Sequence, residues 1–146
     1  MAFNTLIPVR FGDEDHAQVV YYPRYFDYLH QGFEDFFNAH AHSYRKVVVE
    51  DGIGWPVVRA DAQFHAPLRF GDVLDLRIWF SHIGKRSLTT SYRGYQTESA
   101  KRVISATVTT ACIRCADFST QAIPSTLRDL FAQFQDPPQD APSSCA

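Results

Sequence analysis

From Tyr22 to about residue 40 the apolar side chains recur at three- and four-residue spacing. Tyr22, Tyr25, Phe26, Leu29, Phe33, Phe36 and Phe37 fall on one face of a helix. Nothing else in the chain constrains the fold so tightly. Pro23 suits the first turn of this helix, where its missing N–H would lack an acceptor anyway. Before the helix, residues 4–11 alternate, with Leu6, Pro8 and Arg10 on one face and Ile7, Val9 and Phe11 on the other. Pro8 marks a sheet edge or the end of pairing. After it comes a looser segment, residues 41–55, containing Gly52, Gly54 and room for a short helix through residues 45–50.

Beyond Pro56 the period changes to two. Residues 57–65 form one run, ended by Pro67 and Gly71, and residues 72–82 form the next. In the second, Leu74, Leu76, Ile78 and Phe80 alternate with Val73, Asp75, Arg77 and Trp79. Gly84 marks a turn. Residues 87–96 and 102–115 are rich in Thr, Val, Tyr and Ile, which favour a pleated surface, and residues 97–101 make their hairpin loop. A short helix over residues 125–134 follows Pro124. The expected order is strand, long helix, then four strands in a meander: an α+β domain of one helix against one antiparallel sheet, over residues 1–135. Residues 136–146 hold three prolines and little to bury, and are expected to be a disordered tail.

A chain of 146 residues fits one domain. A net charge of −2 with a pI near 6.3 argues against nucleic-acid binding, which needs a basic face for phosphates. No apolar stretch approaches the roughly 20 residues that span a bilayer, and the first ten residues have neither a basic nor a long apolar region. With three cysteines, an odd number, the reading is a cytoplasmic protein with reduced thiols. The unusual figure is 14% aromatic, with twelve Phe and seven Tyr, which implies a bulky core plus an apolar pocket or a subunit interface.

The chemistry concentrates in residues 11–28. Asp13 and Asp15 end the first strand-like run, and Pro23 opens the aromatic helix soon after. An acid is thereby delivered close to a helix start, where free backbone N–H groups can bind a developing anion. That pairing suits acyl transfer, although two Asp before a helix also serve as turn or capping residues. The F-G-D-x-D of residues 11–15 and the V-x-Y-P-x-Y of residues 20–25, spaced as they are here, resemble the 4-hydroxybenzoyl-CoA thioesterase family, hotdog-fold hydrolases of acyl-CoA. The resemblance runs from about Leu6 to Ile123, densest in this motif. It implies a hotdog domain in which the sheet wraps the long helix.

By that resemblance Asp15 is the catalytic carboxylate, acting as nucleophile through a mixed anhydride or as general base. The Tyr22 backbone N–H would hold the oxyanion, its ring being free to staple the helix. Two positions depart from the family pattern. Gln18 stands where the family has Gly, and is awkward if that backbone needs positive φ. His16 stands where a small residue or Pro is usual, as an aid to water activation or as a solvated loop residue. His30 falls where the benzoyl-CoA-type relative has an acid facing the aromatic acyl group, so it either reads a ring substituent or lies at the helix surface. Lys85 and Arg86 align with a basic strip that holds coenzyme A phosphates, and would otherwise be a solvated turn. The P-x-x-x-G-D of residues 67–72 is a turn between strands.

The expected activity is hydrolysis of an acyl-CoA thioester, with an aromatic acyl group favoured, on sites built across a homodimer or homotetramer interface. No cofactor or metal is implied. Cys112 and Cys115 form a lone C-x-x-C without a second pair. His40 and His42 are read as the solvated end of the long helix. A non-catalytic acyl-CoA binding module is the alternative, kept open by Gln18 and His16. A hydratase on the same fold would use an Asp and His paired elsewhere on the helix, and no such pair stands out.

Overall fold

The computed structural model describes residues 1–139. The aromatic stripe forms α1, Tyr22–Asn38, and five antiparallel strands curve around it. These are β1 (Phe3–Pro8), β3 (Val57–Phe64), β4 (Val73–Ile83), β5 (Ser87–Gln96) and β6 (Arg102–Ala111), in the order β1-β4-β5-β6-β3. A two-residue strand, β2 (Ile53–Gly54), pairs with β7 (Ile113–Arg114), and α2 (Ser125–Ala132) packs against β4. This is the α+β arrangement of one sheet wrapped on one long helix.

Two expectations about the strands are corrected. β4, β5 and β6 form a meander, but β3 pairs with β6 instead of β4. The chain leaves β3 and crosses the head of α1, where Leu68 is fully buried and its N–H bonds the Tyr25 hydroxyl at 3.2 Å. That crossing leaves the first strand, β1, to occupy the free side of β4. The run through residues 102–115 also breaks: Cys112 N–H turns to Arg86 O at 2.8 Å, and Ile113 then joins β2. The short helix in residues 45–50 is a single wide π-type turn, Lys46–Glu50.

Burial follows the alternation where the sheet meets the helix. Leu74, Leu76, Ile78 and Phe80 point inward and are fully buried. The head of α1 sets Tyr25, Tyr28 and Leu29 on Leu74, Leu76, Ile78 and Tyr92. Its far half sets Phe33, Phe36 and Phe37 among Phe80, Leu88 and Phe131. Phe36 and Phe80 have ring centroids 4.8 Å apart, and Phe80 and Phe131 4.6 Å, each such pair adding about 0.5–1.5 kcal/mol beyond its buried area. Between the halves Gly32 lets the helix close on the sheet, since a Cβ there would lie 2.6 Å from Leu76 Cδ2.

Two other residues depart from expectation. Phe11 is 80% exposed beside Phe70 instead of following Ile7 and Val9 inward, because β1 has ended and a 3-10 turn, Phe11–Asp13, redirects the chain. His40 is not a solvated helix end: half-buried, it packs on Phe36 and Phe134, with Nδ1 2.6 Å from Phe36 O. Of the tail, Asp136 meets the amino-terminal ammonium at 3.2 Å and Pro138 O accepts from Arg93 at 3.2 Å. The remainder of the expected tail, from residue 140, lies outside the described residues.

Candidate active site

Asp15 opens a tight hairpin. Its N–H donates to Val19 O at 3.1 Å, Gln18 N–H donates to Asp15 O at 3.0 Å, and Glu14 bridges Val20. This is a three-residue loop, a type I turn followed by one left-handed residue. That last position falls on Gln18, with φ of 62°. The conformation explains why glycine would be favoured there. Asp15 Oδ1 accepts the Ala17 N–H at 2.8 Å, which fixes the carboxylate. Its second oxygen takes no partner among the described residues, and Asp15, His16 and Gln18 are all exposed.

The neighbouring carboxylate is otherwise engaged. Asp13 Oδ2 accepts from the Tyr28 hydroxyl at 2.6 Å and from Arg10 N–H at 2.9 Å. Burial, then the bond to Asp13, pushes the Tyr28 phenol well above its ordinary pKa. The Asp13 carbonyl accepts Tyr21 N–H at 2.9 Å, so this residue ties the hairpin to the head of α1 twice.

The head of α1 leaves one donor unused. Val20 N–H bonds Leu68 O at 2.8 Å, Tyr21 N–H bonds Asp13 O, and Arg24 N–H turns back to Tyr21 O at 2.8 Å. Pro23 has no N–H. The Tyr22 N–H, first of the helix, has no acceptor among the described residues, and sits at the positive end of the helix dipole. The Tyr22 ring, 63% exposed, lies against Tyr21 and so is no core staple. A groove of about 340 Å³ begins here, between Tyr22, Tyr25, Phe64 and His65. Sequence reasoning did not single out His65, which stands at the end of β3 with Nε2 3.0 Å from Ser105 Oγ.

Further along α1 a chamber of about 150 Å³ opens between the helix and the inner sheet face, with Phe26, His30, Phe33, Trp55, Thr90 and Tyr92 in its wall. His30 stands at the rim: it lines the chamber, yet its side chain is 57% exposed and lies 3.9 Å from Glu34. Both readings of His30 thus describe one residue. Burial pushes the Tyr92 phenol upward, the adjacent Thr90 hydroxyl offsetting part of the rise, although Thr90 Oγ1 closes no hydrogen bond. Trp55, Thr90 and Tyr92 were missed; for Thr90 and Tyr92 the signal was the even-numbered, inward positions of β5, continuing from Leu88, and Trp55, between β2 and β3, had none.

Lys85 and Arg86 are not brought to this place. They are exposed on the turn between β4 and β5, whose carbonyls are tied down by Arg128 (to Gly84 O, 2.7 Å), Ile123 (to Lys85 O, 2.9 Å) and Cys112. The head of α1 sits at the opposite end of β4, where Val9 N–H reaches Asp72 O at 2.9 Å. With 11 residues in β4, the two ends lie roughly 30 Å apart at about 3.3 Å per residue.

The fold and this helix head define a class. Residues 9–135 match the thioesterase-like superfamily, and the chain belongs to that family of hotdog-fold thioester hydrolases. It is 26% identical over 125 residues to a 1,4-dihydroxy-2-naphthoyl-CoA hydrolase of Nostoc punctiforme, covering 85% of this chain and 82% of that protein. The crystal structure of a 1,4-dihydroxy-2-naphthoyl-CoA thioesterase from Synechocystis superposes with a TM-score of 0.83 at 22% identity, covering 94% of this chain and all of that one (100%). The 4-hydroxybenzoyl-CoA thioesterase of a Pseudomonas strain does so with 0.79 at 23%, covering 88% and 98%. Among the described residues no helix is long and apolar enough to cross a membrane.

Proposed function

We propose that this chain hydrolyses an aromatic acyl-CoA to the free acid and coenzyme A, hydroxybenzoyl-CoA being the favoured type. The observation that carries the reading is the pairing of Asp15, whose second carboxylate oxygen is free, with the unused Tyr22 N–H at the head of α1. Asp15 either adds to the thioester carbon, expelling coenzyme A thiolate and leaving a mixed anhydride that water opens, or takes a proton from the attacking water. In both routes the Tyr22 amide faces the oxyanion, a contribution of about 3 kcal/mol or more. The aromatic walls along α1 favour an aryl group, and His30 at the rim faces it.

The site is completed by a second copy. β3 is one of the two outer strands of the sheet, and its Val57 and Val58 stand 59% and 65% exposed. An unpaired strand edge of this kind is a template for pairing. Two copies joined there antiparallel are related by a two-fold axis, which reverses the ends of the partner's strands. The Lys85 and Arg86 turn of one copy then lies at the end that carries Asp15 in the other, in reach of the coenzyme A phosphates. Dimers of this type could pair further into tetramers. The free thiols of buried Cys112 and exposed Cys115 accord with a cytoplasmic setting.

The test is thiol release from a panel of benzoyl-, hydroxybenzoyl-, phenylacetyl-, 1,4-dihydroxy-2-naphthoyl- and mid-chain acyl-CoA. Cleavage led by an aryl thioester is expected, and Lys85→Ala with Arg86→Ala should raise KM about tenfold, some 1.4 kcal/mol, with kcat little changed. Binding of acyl-CoA without cleavage of any thioester would make the chain a binding module instead.

A further inference from the structure

We propose that residues 140–146 of this chain dock as a strap on the outer face of its own sheet, with the Asp140 carboxylate held by Arg93 and Arg102. The proposal is independent of the hydrolase reading.

The outer face calls for a cover. Odd-numbered residues of β4 point away from α1, since Leu74, Leu76, Ile78 and Phe80 point toward it. The register sets Asp75, Arg77 and Trp79 beside Tyr95, Arg93 and Ser91 of β5. An antiparallel sheet with one face on a helix ordinarily leaves the other face to water. Here the middle of that face is dry: Trp79 is 9% exposed, Tyr95 6% and Ser91 3%. Two guanidinium groups supply part of the cover, Arg77 at 4.8 Å from the Tyr95 ring centroid and Arg93 at 5.2 Å from that of Trp79. Beside them a cleft of about 430 Å³ runs toward β6 and β3, with Asp61, Trp79, Arg93, Arg102, Ser105 and Thr107 in its wall. Asp61 lies 2.8 Å from Arg59, so the wall carries an excess of positive charge. Arginine is suited to hold a carboxylate there.

The course of the chain points to the occupant. After α2, Phe134 O accepts the Phe80 N–H of β4 at 2.7 Å, and Pro138 O then accepts from Arg93 of β5 at 3.2 Å. The backbone is thus travelling across the strands from β4 to β5, in the direction of β6, β3 and the cleft. The next strand lies about 4.8 Å on. Two extended residues beyond Pro138 span about 7 Å, which brings Asp140 within reach of Arg102 as well as Arg93.

Charge and bulk agree with this. Residues 140–146 contain Asp140 and no Lys, Arg or His, and the six after Asp140 are Ala, Pro, Ser, Ser, Cys and Ala. None has a large side chain to lodge in a shallow cleft. The prolines at 137, 138 and 142 reduce the entropy lost when such a segment is ordered. A disordered tail was expected because these residues have little to bury, but a strap held by charge does not need apolar anchors.

Cys145 provides the probe. Cys112 is buried, so in Cys115→Ser a nitroxide attaches at Cys145. In the full chain, paramagnetic broadening of NMR signals should be severalfold greater at the Trp79 indole and the Ser91, Ser105 and Thr107 amides than at the head of α1 or the Lys85–Arg86 turn. Asp140→Asn should weaken that contrast and Asp140→Lys should abolish it, neither substitution touching the sheet. High salt should weaken it too, since exposed charges are screened. In a mixture of nitroxide-bearing chains with isotope-labelled Cys145→Ser chains, the outer face of the isotope-labelled copy should stay sharp. Broadening there would assign the cover to a neighbouring copy and overturn the proposal. Broadening spread evenly over the surface, or a pattern unchanged in Asp140→Lys, would overturn it as well.

Discussion

At the scale of single residues, two acids two positions apart are held in different ways. Asp13 is consumed by structure: it holds the Tyr28 hydroxyl and the Arg10 N–H. Asp13→Ala should lower stability by about 1.5–3 kcal/mol, the worth of hydrogen bonds to a charged acceptor, measured by denaturant unfolding. Asp15 is held by one local bond and should be replaceable without that cost. Gln18→Gly relaxes a left-handed residue, so stability should hold or rise by up to about 1 kcal/mol. If hydrolysis falls in that variant despite sound folding, the Gln18 amide acts on the substrate. The left-handed backbone at Gln18 was legible from the glycine expected there, but the hairpin around it was not. The partner of Asp13 was not, because Tyr28 reaches it only after the chain has turned into α1.

At the scale of elements, α1 was readable from its period alone, and the inward residues of β4 from theirs. What periodicity could not supply was strand order. Residues 57–64 alternate as well beside β6 as beside β4, and the choice is made by the crossing that buries Leu68 on Tyr25. The helix's far half is the structural keystone: Phe36 touches Phe3, Phe80, Phe131 and Phe134. Phe36→Ala should cost about 3–5 kcal/mol, read as a loss of melting temperature. The phenols around α1 and the sheet set a pH limit. Burial raises the pKa of Tyr25, Tyr28, Tyr44 and Tyr92 in the folded chain. The stability they contribute is therefore complete below about pH 10, the ordinary phenol value, and is lost as pH rises from there toward their folded-state values. Melting temperature should be flat through neutral pH and fall in alkali, and Tyr28→Phe should flatten part of that fall.

At the scale of the whole molecule, the distance between Asp15 and the Lys85–Arg86 turn is the informative feature. One chain sets these groups at opposite ends of its sheet; the proposed dimer, joined at β3, would set them together. Asp15, Lys85 and Arg86 were legible in the sequence as candidates, but their separation was not, because it belongs to topology. Val58→Lys with Asp61→Lys places like charges along the β3 edge of both copies. It should yield monomers by sedimentation and abolish hydrolysis, although Asp15 and α1 are untouched. The central claim is that Asp15 performs the chemistry at the head of α1. Its most direct test is thiol release by Asp15→Asn from the best aryl-CoA substrate, beside the native chain at equal folded concentration. The account predicts kcat lower by about a thousandfold, roughly 4 kcal/mol of barrier, with KM and melting temperature nearly unchanged. A variant that keeps a tenth or more of the native kcat would contradict it.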